Sequence, residues 1–126
     1  MPLTNSGRDF LATAILGQSA TYFDSANAYI GVGDGTTAFT QSQTDLQGGQ
    51  KIRKPMDATY PQITGNTLTF QSTFGSDEAN FNWEEWAVFN AASGGVMLNR
   101  KVEYNGVKLQ GQTWVFQTQL TVLIGA

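Results

Sequence analysis

From Tyr29 to the end of the chain, apolar and polar residues alternate with a period of two, in short runs separated by clusters of Gly, Asn, Asp and Ser. A strand sends successive side chains to opposite faces, so this pattern describes antiparallel strands with one face buried. The runs cover residues 29–33, 51–56, 66–74, 83–90, 96–104 and 113–124. The 96–104 run places Val96, Leu98, Arg100, Val102 and Tyr104 on one face and Met97, Asn99, Lys101 and Glu103 on the other. The last run aligns Trp114, Phe116, Thr118, Leu120, Val122 and Ile124. It is too long and regular for a tail and belongs in the core. Pro55 and Pro61 confine their segment to a sheet edge, because proline cannot donate to a ladder.

One helix precedes the strands, over about residues 7–16. Asn5 or Ser6 can cap it, Asp9 sits in its first turn and Gly17 can end it. Phe10, Leu11, Ala14 and Ile15 fall at helical spacing, which predicts a face turned to the core. The reading is an all-β fold: an antiparallel β-sandwich or jelly-roll-like domain of about seven or eight strands with a short N-terminal helix. The 126 residues suit one domain, 1–126.

Cysteine and histidine are both absent. A disulfide framework, a zinc finger, an iron–sulfur cluster, a Ser-His-Asp triad and a cysteine nucleophile are therefore ruled out. The formal net charge of −3 argues against binding nucleic acid through its phosphates. Charged residues make up only 13%, about half the usual share, and Thr, Gln, Asn and Ser fill about a third of the chain. Such surfaces are typical of all-β binding and shell proteins. The N-terminus lacks the charged and apolar regions of a secretory signal, and no window reaches about 18 apolar residues. Synthesis in a cytoplasm and no membrane span are expected.

Each chemical motif has a structural alternative. Gly31, Gly33 and Gly35 suggest a dinucleotide fingerprint, but the third glycine it needs is Thr36 and no helix pattern follows. A turn at Asp34-Gly35 fits better. Asp24, Ser25, Ala26 and Asn27 lack the spacing of a calcium loop. Glu84 and Glu85, with Asp77 and Glu78 nearby, offer carboxylates. Adjacent strand residues point apart, so the first two cannot converge on a substrate. A buried carboxylate paired with Arg100 or Lys101 on the next strand is favoured. No enzymatic activity and no metal or other cofactor are expected.

The polar stretch 34–50 is long for a compact domain, and such loops are usually functional or mobile. Five of the seven basic residues, Lys51, Arg53, Lys54, Arg100 and Lys101, fall where neighbouring strands could gather them. They are either a solvated edge or a docking patch for an acidic partner. Asp45, in the polar stretch, joins them as a candidate contact. Trp83 is a core aromatic or, if exposed, an interface anchor.

Several segments occur in a fixed order. They are 28–35 (AYIGVGDG), Gln43-Thr44-Asp45-Leu46, Phe70 to Phe74, 85–90 (EWAVFN) and 94–100 (GGVMLNR). Together they resemble small structural proteins of tailed bacteriophages over nearly the whole chain. The order also resembles the N-terminal attachment domain of collar-type tail fibres, although no repeat-rich shaft follows Ile124. The resemblance implies a virion protein made in the host bacterial cytoplasm. As a capsid decoration protein it would bind the major capsid protein as a homo-oligomer, with a trimer favoured. As a tail, neck or baseplate adaptor it would bind other virion proteins. A glycan-binding module is the reading from another class.

Overall fold

A computed structural model of the chain describes residues 2–123. Helix α1 (Asn5–Ile15) precedes seven strands: β1 (Tyr29–Gly33), β2 (Lys51–Pro55), β3 (Gln62–Thr64), β4 (Thr67–Phe74), β5 (Asn82–Phe89), β6 (Met97–Val107) and β7 (Trp114–Thr121). They form two antiparallel sheets, one in the order β2-β1-β5-β6 and one in the order β3-β4-β7. The sheets pack as a sandwich. Ile124 lies outside the described residues.

Alternation decides which residues face the core. Ile30, Val32, Trp86 and Val88 are buried on the inner face of the four-stranded sheet, and Phe70 and Phe74 of β4 meet them. Trp83 lies edge-on to Phe74 and Trp114, with ring centroids 4.9 and 5.0 Å apart, which joins β5 to both β4 and β7. Buried Ser72 donates to the Pro55 carbonyl at 2.8 Å and ties β4 across to β2. As expected from its prolines, β2 is an edge strand.

The faces of β6 differ from the simple alternation. Val88 pairs with Asn99 but Phe89 pairs with Met97, so Leu98 is an extra residue in the ladder. This β-bulge shifts the period by one. Leu98 joins the inner core, while Met97 packs on the outer face with Ala87 and Phe89. Arg100, opposite Ala87, falls on that outer face too.

The helix starts two residues before the predicted 7–16 span and ends one residue short of it. Its cap is Thr4 instead of Asn5 or Ser6: the Thr4 hydroxyl accepts from the Gly7 amide at 2.9 Å and donates to the Met97 carbonyl. Gly17 closes the C-terminus at φ 66°, a conformation that suits glycine. Only Gly7 is buried, and it packs so closely on β6 that a Cβ there would run into the Leu98 carbonyl. The expected core-facing stripe is only partly inward. Phe10 packs edge-on against Phe23 and Tyr22, whereas Leu11, Ile15 and Leu16 are exposed.

Candidate functional site

The outer face of the four-stranded sheet has no third sheet over it, yet Glu85, Ala87, Phe89, Met97 and Arg100 are all fully buried there. Their cover is the polar stretch 34–50, which joins β1 to β2 and folds back across the sheet. Leu46 reaches down from it onto Ala87, Phe89 and Met97, forming a second small core. The glycines of β1 permit the approach: a Cβ on Gly31 would meet the Phe89 ring and Leu46, and one on Gly33 would meet the Glu85 carboxylate.

The Glu85 carboxylate fixes this cover. It accepts from the amides of Gly35 at 3.0 Å, Gln47 at 2.9 Å and Gly48 at 2.7 Å, so both ends of the stretch converge on one side chain. Arg100 Nε donates to the same carboxylate at 2.7 Å, and neither side chain has any exposed surface. The guanidinium continues into the loop, donating to Gln43 Oε1 at 3.0 Å and to the Thr37 carbonyl at 2.9 Å. Burial of two charges is tolerated when they are paired and their remaining donors and acceptors are satisfied, as here. Of the two partners expected for the buried carboxylate, Arg100 is the one in place, while Lys101 lies 3.8 Å from Glu103. The long loop is a fastened cover, and Asp34-Gly35 is not a tight hairpin turn, since β1 pairs with β2 across the whole stretch.

The other candidate residues separate into distinct places. Asp45, Lys51 and Arg53 do come together, lining a recess of about 220 Å³ with Leu46, Ile52 and the 92–94 turn. Asp45 accepts from Lys51 Nζ at 2.9 Å and from Arg53 Nη2 at 3.2 Å. Arg53 also lies 3.5 Å over the Phe89 ring and donates to the carbonyls of Ala91 and Gly94. Lys54 turns elsewhere, to Glu78 at 2.6 Å. Arg100 and Lys101 are on β6, separated from β2 by β1 and β5, or about 14 Å at ordinary strand spacing. The basic residues thus do not form one patch, and Lys51, Arg53, Lys54, Arg100 and Lys101 each have a carboxylate within 4 Å. Lys51 and Lys101 keep nearly half their side-chain surface exposed, whereas Arg100 and Trp83 are enclosed and offer a partner no surface.

Lys108 was not singled out by its sequence context. It is fully buried, with Nζ donating to the Gly75 carbonyl at 2.6 Å and to Asn80 Oδ1 at 2.8 Å, and so fastens the β4–β5 connection to the end of β6. A lysine next to a strand end carries no pattern that separates this role from an exposed one. Among the described residues, no group of three or more Asp and Glu side chains is placed to hold a metal ion, and no helix is long and apolar enough to cross a membrane.

Two carboxylates are held below their ordinary range. For Glu78 the main cause is the hydrogen bond from Lys54, helped by the Gly75 amide. For Asp45, burial is the largest influence and acts upward, but hydrogen bonds from Lys51, the Leu46 amide and Arg53 together outweigh it. Groups whose pKa is lowered by folding stabilise the fold above the unfolded carboxylate range, and that contribution is lost as pH falls through the lowered values. Lys54→Met should therefore raise the Glu78 titration towards the ordinary range, with the Gly75 amide still holding it down in part, and leave that of Asp45 in place. A carboxyl-detected NMR titration of the wild type and the variant checks this, and an unchanged Glu78 midpoint would refute the assignment.

No known protein-family model matches the chain, and a search of curated proteins finds no significant match.

Proposed function

We propose that this chain is a non-enzymatic structural protein of a tailed-bacteriophage virion, a decoration protein that binds the assembled head as a homo-oligomer and stabilises it. The supporting observation is the cover over the outer face of the sheet. A 17-residue polar connection, residues 34–50, is pinned to the sheet by a buried Glu85–Arg100 pair. Such a surface is ordered before it binds, which lowers the entropy cost of association. A protein that binds only the assembled lattice stabilises it by mass action, and several attachments per oligomer raise the effective affinity. The resemblance of the ordered sequence segments to phage structural proteins supplies the virion context. Lys51 and the exposed residues of the cover are the proposed contacts with the major capsid protein.

An adaptor role at the tail, neck or baseplate is the second reading. It is favoured by the exposed Leu11 and Ile15 of α1 and Leu16 just after it, apolar side chains suited to subunit packing in a ring. Sugar binding is less well supported, since Trp83 and Trp86 are core residues and form no exposed stacking platform. Quantitative mass spectrometry of purified particles separates the first two. A ratio approaching one copy per capsid subunit supports decoration. A few to a dozen copies would overturn it in favour of the adaptor, and absence from particles would overturn both.

A further inference from the structure

The four-stranded sheet extends further than the three-stranded sheet below it. Strand β4 packs under β1 and β2, while Trp114 and Phe116 of β7 pack under Trp83 and Trp86 of β5. Strand β6, beyond β5, therefore overhangs the free edge of β7. Between them runs a groove of about 360 Å³, lined by Trp83, Asn105, Trp114 and Phe116 among others.

The main chain of β7 shows what that edge can bind. The Val122 amide donates to the Asn66 carbonyl at 2.9 Å, in register with the paired Thr67 and Thr121. Hydrogen-bonded and non-hydrogen-bonded pairs alternate along an antiparallel ladder. The backbone groups of Leu120, Thr118, Phe116 and Trp114 thus point to β4. Those of Val115, Gln117, Gln119 and Thr121 point the other way, and among the described residues no main-chain group pairs with them.

Proteins commonly protect such edges with charge, proline, bulges or short length. Here β2 carries Lys51, Arg53, Lys54 and Pro55, β3 has three residues, and β6 is bulged and carries Lys101 and Glu103. Strand β7 has none of these features. Its register with β4 is unbroken over eight pairs, and residues 114–123 contain no charged residue and no proline.

We propose that the free edge of β7 accepts an extended, uncharged strand from a neighbouring protein of the assembly, which would become the fourth strand of the smaller sheet. Charge complementarity sets the chemistry. The strand edge is neutral, and the overhang above it presents Lys101 and Glu103 as a mutually compensating pair 3.8 Å apart. Main-chain bonds to four residues of β7 supply affinity, and the half-buried Trp114 and Phe116 rings in the groove select apolar side chains at alternate positions. A second copy cannot provide its own β7, because a two-fold axis at that edge would drive its β6 into the space held by β5. The inference rests on the proposal that the chain works within a protein assembly.

Gln117→Pro and Gln119→Pro each remove an amide that points away from β4, so the β4–β7 ladder persists while strand addition is blocked. Circular dichroism and thermal melting verify the fold of each variant. In particles, copy number should fall about tenfold or more for either folded variant, a loss of at least about 1.4 kcal/mol in binding. Wild-type copy number in both would overturn the proposal. Absence of the wild-type protein from particles would instead overturn the virion reading, and the edge is then judged on the isolated chain. A capped, alternating Thr–Val octapeptide should slow hydrogen exchange at Val115, Gln117, Gln119 and Thr121 in the wild type, and no slowing would overturn the proposal.

Discussion

Glu85→Ala should be among the most damaging single substitutions in this chain. It would leave the Arg100 guanidinium buried without its carboxylate and would strip the Gly35, Gln47 and Gly48 amides of their acceptor. Breaking a buried ion pair from one side costs about 3–5 kcal/mol, and orphaned buried donors add to that. Domains of this kind have about 5–15 kcal/mol in total, so the variant should be largely unfolded or should lose its cover over the sheet. Arg100→Met should cost less, since the remaining carboxylate keeps three amide donors. The double variant should fall between complete recovery and the sum of the two losses: it removes the unpaired cation but not the need of the loop amides. Urea denaturation of the three variants checks the order. A Glu85→Ala protein within about 1 kcal/mol of the wild type would show that the pair does not fasten the loop.

The same pair shows how far the sequence could be read. Strand alternation and turn clusters were sufficient for the sandwich, because burial of one face forces a period of two. A buried carboxylate beside Arg100 or Lys101 followed from the rule that interior charges are paired, but the choice of Arg100 depended on the bulge in β6. The fate of residues 34–50 did not follow, since their anchoring depends on amides of Gly35, Gln47 and Gly48, and a backbone donor leaves no mark in the sequence. The bulge at Leu98 was hidden for a related reason: one extra residue reverses the faces of everything after it without changing composition. Grouping the basic residues failed because strand order was unknown. Strands β2 and β6 are at opposite edges of one sheet, and each basic side chain of the group answers to a nearby carboxylate.

Trp83→Ala tests the choice between anchor and core at a residue the sequence left open. The indole is 2% exposed, lies edge-on to Phe74 and Trp114, and donates from Nε1 to the Ala79 carbonyl at 2.9 Å. Truncation removes all of these contacts and opens a cavity at the point where β4, β5 and β7 meet. Large aromatic-to-alanine changes in cores cost about 3–5 kcal/mol. For a domain of this size the melting temperature should drop by about 10–20 °C. Trp83→Phe keeps most of the packing and loses the hydrogen bond, so its loss should be clearly smaller. An anchor would behave differently, with normal melting and weakened association in both variants. The two outcomes also bear on the edge of β7, because Trp114 and Phe116 take their positions from Trp83. If the groove beside β7 receives a strand, Trp83→Phe should retain binding, since the ring that holds its wall in place is still there.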